Sequence, residues 1–176
     1  METHKGSALK NVLIVIATCA FGLVLFWAVA FGPRFSKLGK EAQRRQTHLL
    51  CETDYQALLK ACREVSRMVA EGKLNKYEYH IRGNPDIETS RFPKPILDLE
   101  PSYIQIGKNG SVMIELMGGL DHFGVKAYPE NYGKPPSGRY GDRKLIEGLW
   151  YYDNGYKTNP DYDKTINKII QKGRKR

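Results

Sequence analysis

Tyr103-Ile104-Gln105-Ile106-Gly107-Lys108-Asn109-Gly110-Ser111-Val112-Met113-Ile114-Glu115-Leu116-Met117 is the stretch whose reading decides the fold. Two apolar runs flank Lys108-Asn109-Gly110, and Asn-Gly between such runs is the strongest short hairpin cue, because both residues accept positive φ. In the second arm Val112, Ile114 and Leu116 share one face while Met113, Glu115 and Met117 share the other. One face is therefore predicted to pack on a helix.

Working back toward the N-terminus, the period changes from two to between three and four. Tyr55, Leu58, Leu59, Cys62, Val65, Met68 and Val69 form one apolar stripe, which Gly72 brings to a stop. Thr53-Asp54-Tyr55-Gln56 reads as a capping box, Thr53 to the amide three residues on and Gln56 reaching back. Between this helix and the hairpin, Tyr77, Tyr79 and Ile81 alternate with Glu78, His80 and Arg82 as a half-buried strand. Pro85, Pro93, Pro95 and Pro101 argue against a central strand from Gly83 to Pro101, although Ile96 to Leu99 can form one packed turn.

Working forward, Gly118-Gly119 turns the chain and His122 to Tyr128 reads as a third strand of a meander. Pro129 to Arg143 has no periodicity and is predicted to be a long loop. Leu145 to Tyr152 returns as a strand, Asp153-Asn154-Gly155 turns, and Asn159-Pro160 suits a helix start. Tyr162, Ile166, Ile169 and Ile170 then mark a short amphipathic helix. The fold class predicted is α+β: an N-terminal transmembrane helix, then a small domain whose antiparallel sheet of about four to five strands packs on one amphipathic helix, with a short C-terminal helix.

The transmembrane helix rests on Asn11 to Pro33, 23 residues without a charge. A helix of that length spans roughly 30 Å, the hydrocarbon thickness of a bilayer. A cleaved signal peptide is the rival reading, but Ala28-Val29-Ala30 follows an apolar stretch longer than the usual ~7 to 15 residues. A lipidated Cys19 fits less well, since Thr18 is off-pattern and mostly apolar residues continue to Phe31. The domain organisation expected is a tail over 1–10, an anchor over 11–33, a basic juxtamembrane stalk or linker over 34–52 and the α+β domain over 53–176.

The formal charge of +9 sits at the two ends. From Gln46 to Asn167 there are 16 Lys plus Arg against 17 Asp plus Glu, a net of −1, so the body offers no broad basic face and no nucleic-acid partner is expected. Arg34, Lys37, Lys40, Arg44 and Arg45 are read as membrane-surface contacts. Localisation is expected at a membrane, single-pass, keyed as a signal-anchor; counting basic residues favours a cytoplasmic domain, while the short N-terminal tail favours an extracytoplasmic one, and the reading leans to the latter. Cys51 and Cys62 are too few for a disulfide framework, and two helical turns would separate them beyond the ~7 Å a bridge tolerates.

Two candidate sites follow. Tyr128, Tyr132, Tyr140, Trp150, Tyr151, Tyr152 and Tyr156 cluster late in the chain, and aromatic faces with polar handles suit a protein or envelope-glycan partner. In Trp150-Tyr151-Tyr152 neighbours alternate faces, so at least one ring points away from the core. Glu115, Asp121 and His122 bracket the Gly118-Gly119 turn, where a carboxylate beside an imidazole can orient a general base. No nucleophile motif, metal spacing or phosphate loop accompanies them. The function expected is a non-catalytic binding or interaction module, with no cofactor or metal; the alternatives are a membrane-tethered hydrolase-like enzyme using Glu115, Asp121 and His122, and a self-assembling structural subunit.

Overall fold

The computed structural model describes residues 16, 20–23, 26, 37–74, 77–82, 90–118, 122–130, 132, 142–154 and 161–173. The chain divides into two compact units, Met1–Gln43 and Arg44–Arg176. In the first, the described residues are helical, and Ile16, Phe21, Leu23, Phe26 and Leu38 are exposed.

The second unit opens with helical residues 44–47 and a π-helical turn, His48–Glu52, that buries Leu49 and Leu50. The first helix, α1, is Tyr55–Ala70 and buries Leu58, Leu59, Ala61, Cys62 and Val65. Its cap is Asp54, whose Oδ1 accepts from the amides of Gln56 at 2.9 Å and Ala57 at 3.1 Å. Thr53, expected in that role, instead donates its hydroxyl to the His48 carbonyl at 3.1 Å. The π-turn leaves that carbonyl in reach of Thr53, so the carboxylate one residue later takes the free amides. Gly72, at φ +69, ends the helix as its position predicts.

A short strand β1, Glu78–His80, leads to a single-turn helix α2, Lys94–Leu97. Next come β2, Tyr103–Ile106, β3, Val112–Met117, and β4, Phe123–Ala127. The last strands are β5, Arg143–Ile146, and β6, Leu149–Asp153, followed by α3, Tyr162–Gly173. All pairings are antiparallel, in the order β1-β2-β3-β4-β6-β5.

The β2–β3 hairpin forms as the opening stretch predicts, with one difference at the turn. Among the described residues Gly110 takes positive φ, +79, and Asn109 does not. Asn109 instead accepts through its side chain from the Ser111 amide at 3.1 Å and hydroxyl at 2.7 Å. The asparagine thus closes the loop by hydrogen bonding rather than by a left-handed backbone.

Three parts of the predicted fold class are corrected. The transmembrane helix expected over residues 11–33, and with it the membrane, single-pass and signal-anchor description, is not supported: among the described residues no helix is long and apolar enough to cross a membrane. A span needs ~20 continuous apolar helical residues, and within 11–33 only 16, 20–23 and 26 are described, the rest of the expected span lying outside the described residues. Among the described residues the sheet has six strands rather than four to five. The single strand expected over 145–152 is two, because Glu147-Gly148 turns the chain with Gly148 at φ +83. The stretch over 129–143, apart from 129, 130, 132, 142 and 143, and the turn and helix start expected over 155–160 lie outside the described residues.

One sheet face makes the core. Tyr79, Ile104, Ile106, Val112, Ile114, Leu116, Val125, Leu149 and Tyr151 are buried there, and α1 packs against β3, β4 and β5. Each fully buried Leu, Ile or Val side chain contributes about 1.5–3 kcal/mol. Cys62 lies in this layer, fully buried, and burial pushes its thiol up to about 12 from 9.0. A thiol reagent at pH 8 is expected to modify half-buried Cys51 directly and Cys62 only as fast as the core opens, measurable by mass-resolved labelling with and without urea. The sign of the pH effect follows: between about 9 and about 12 the unfolded chain releases a proton that the folded chain retains, so Cys62 makes stability fall as pH rises through that window.

Candidate functional site

The sheet's other face carries the polar side chains. Strand register aligns them in rows across the sheet, one running His80, Tyr103, Glu115, Gly124, Tyr152 and the next Glu78, Gln105, Met113, Lys126, Trp150, Lys144. Alternation along each strand puts the members of both rows on the face opposite α1. Glu115 stands mid-sheet, a position most carboxylates avoid.

A β-bulge aims it. Register shifts between Glu115 and Met117, so β3 carries one more residue than β4 over this interval. The extra backbone groups are bonded: the Glu115 carbonyl accepts from the Ser102 amide at 2.8 Å and hydroxyl at 3.0 Å, and the Leu116 carbonyl accepts from Arg45 Nη1 at 3.3 Å. Glu115 Oε2 then lies 2.8 Å from Nδ1 of His122, just before β4. The imidazole side chain is 40% exposed and the carboxylate 17%, so the acceptor is held while the ring faces solvent. Gly118 makes the room: a Cβ there would lie 2.7 Å from Glu115 Oε1.

Beside the pair is an open depression of about 450 Å³ lined by Glu78, His80, Arg82, Tyr103, Glu115 and Gly118. The His80 and Tyr103 rings pack 4.9 Å apart at 43°. Burial raises the Tyr103 phenol above its ordinary value, helped by its hydrogen bond to Glu78 and by the charges of Glu78 and Glu115. The phenol therefore stays a donor. Together these groups offer a fixed carboxylate, an exposed imidazole and two aromatic edges, a set able to hydrogen-bond a polar ligand or to take a proton from one. Among the described residues no group of three or more His, Cys, Asp or Glu is placed to hold a metal ion.

The aromatic cluster splits between the two faces. Tyr151 points into the core, bonded to Asp153 Oδ2 at 2.8 Å and to Gln46, and burial raises its phenol strongly. Trp150 and Tyr152 point the other way, Trp150 half-buried and Tyr152 5% exposed. Tyr128 stacks on Tyr132 with ring centroids 4.8 Å apart, and the Tyr132 hydroxyl accepts from Asn109 Nδ2 at 3.1 Å. Tyr140, Tyr156 and Asp121 lie outside the described residues.

The basic cluster is equally divided. Arg34 lies outside the described residues, Lys37 and Lys40 are exposed, and Arg44 pairs with Glu100 at 2.8 Å. Arg45, expected at a lipid surface, is 5% exposed and holds the Glu100 carboxylate at 2.8 Å together with the Glu100 carbonyl. Sequence reading missed Tyr103, His80, Arg82 and Lys126 as neighbours of the site. The alternation Glu78, His80, Arg82 marked a polar face, but only the β1–β2 register reveals that it meets Glu115.

Comparison of the chain with protein-family models, with curated proteins and with solved structures finds no match in any of the three.

Proposed function

We propose that the Arg44–Arg176 unit is a binding module whose outer sheet face receives a polar ligand, with Glu115 and His122 as its hydrogen-bonding centre. The observation that carries this reading is the 2.8 Å contact between the two side chains on an open sheet face. A mid-sheet carboxylate turned toward a half-exposed imidazole serves no packing purpose, and Gly118 keeps the space around it clear. Glu115 fixes the imidazole, leaving Nε2 to the ligand, while His80 on β1 and Arg82 just after it line the adjoining depression.

A panel of neutral oligosaccharides, carboxylates and inorganic phosphate, followed by ligand-detected NMR on the full chain, tests the reading. Glu115→Gln is expected to weaken the ligand that binds by about tenfold, or about 1.4 kcal/mol. It keeps the side chain's shape but replaces half of its acceptor set with a donor. Binding unchanged by both Glu115→Gln and His122→Ala would place the ligand elsewhere.

The same pair supports a second reading, in which His122 acts as a general base on water, oriented by Glu115. Ser102, which also lines the depression, donates its hydroxyl to the Glu115 carbonyl rather than to His122. Ester hydrolysis lost in His122→Ala, with ligand binding retained, would favour this reading over pure binding.

A further inference from the structure

Among the described residues, two buried donors on β6 have no acceptor. The indole Nε1 of Trp150 and the hydroxyl of Tyr152 are both buried and without a hydrogen-bond partner, two residues apart on the same outer face. Leaving such donors unpaired is costly. Lys126 pairs in register with Trp150, and its Nζ sits 4.8 Å from the centre of the Tyr152 ring. The negative charge of Asp142 is felt by the Tyr152 phenol, whose proton it helps retain, and burial raises the Asp142 carboxyl above its ordinary value against the opposing charge of Lys126.

We propose that Trp150, Tyr152, Lys126 and Asp142 form a subsite for a neutral, hydroxyl-rich ligand of the sugar type. The charges of Lys126 and Asp142 offset one another, so the subsite does not favour an ion. Its three donors and one carboxyl call for a group that both accepts and donates, as a vicinal diol does. The half-buried indole offers the flat apolar surface that a sugar's C–H face covers. Glu115 shares a sheet row with Tyr152, with Gly124 between them. At about 4.8 Å per strand step, that row places β6 about 14 Å from Tyr103 on β2, so the ligand is elongated. This inference rests on the reading of the outer face as a ligand surface and deepens it by naming the ligand class.

The chain holds two tryptophans, and Trp27→Phe leaves Trp150 as the single indole reporter. Gluco-, manno- and chito-type trisaccharides are titrated against this full-length variant, with sodium acetate as an acceptor-only anion. At least one trisaccharide is expected to shift Trp150 emission saturably, and acetate is expected not to. Adding Tyr152→Phe should weaken that binding at least tenfold while leaving the ligand-free melting temperature unchanged or higher, because it removes a hydroxyl that has no partner. A lower melting temperature with sugar affinity unchanged would mean that the hydroxyl is structural, overturning the subsite. Acetate binding in place of sugar would overturn the ligand class. Sugar-induced changes at His122 with no response at Trp150 would reject the subsite and leave the outer-face reading standing. No response at either residue would reject both.

Discussion

Gly124→Ala is expected to destabilise the domain by at least ~3 kcal/mol, the upper end of what overpacking usually costs. A Cβ at this position would lie 1.9 Å from the Ile114 carbonyl oxygen and 3.1 Å from the Glu115 Cα. Both are backbone atoms of β3 opposite the bulge, so no side chain can rotate away to relieve the clash. Either β3 and β4 separate or the bulge is lost, and each would turn Glu115 away from His122. Urea denaturation should show a midpoint well below that of the native sequence, with His122 losing its Glu115 contact in whatever folded fraction remains. A variant within 0.5 kcal/mol of the parent would mean that the bulge is not held as described.

Arg45→Met is the second large effect, expected at about 3 kcal/mol. Methionine retains the apolar stem but gives up the donors to the carbonyls of Glu100 and Leu116 and to the Glu100 carboxylate. The carbonyls dominate this estimate. The Glu100 carboxylate is 54% exposed, and exposed pairs contribute about 1 kcal/mol or less. Glu100→Gln should therefore cost under ~1 kcal/mol, and the contrast between the two variants separates backbone satisfaction from charge pairing. Glu100 itself sits at φ +49, an uncommon conformation for a residue with a side chain, and Arg45 clasps it from both its carbonyl and its carboxylate. Loss of the clasp also frees the Leu116 carbonyl at the bulge, so ligand affinity at the outer face should fall with stability.

Much of the domain was legible because its signals are local. The stripe from Leu58 to Val65, the glycine after it, the Asn-Gly loop and the alternation along Val112 to Leu116 each specify geometry within a few residues. The β5–β6 hairpin was not legible, since Glu147-Gly148 interrupts an apolar run that otherwise reads as one strand. The role of Asp54 was hidden by Thr53, an equally good cap by residue type. Arg45 was misplaced because a basic residue in a basic segment gives no local sign of its partner 55 residues away at Glu100.

The candidate site divides in the same way. Glu115 and His122 were legible as neighbours because a short turn joins their strands. Their company was not: Tyr103, His80 and Tyr152 meet Glu115 through register across four strand pairings, which composition does not encode. In the aromatic segment, alternation showed only that neighbours in Trp150-Tyr151-Tyr152 take opposite faces, so that at least one ring points outward. It could not show that Tyr151 serves the core or that the two outward donors lack acceptors.

Amide chemical-shift mapping of the full chain against the trisaccharide panel tests the central claim most directly. A binding trisaccharide is predicted to perturb residues on the outer face, His80, Tyr103, Glu115, His122 and Tyr152, and to leave the exposed side of α1 unchanged. Saturable perturbation confined to α1 or α3, or no perturbation by any member of the panel, would contradict it.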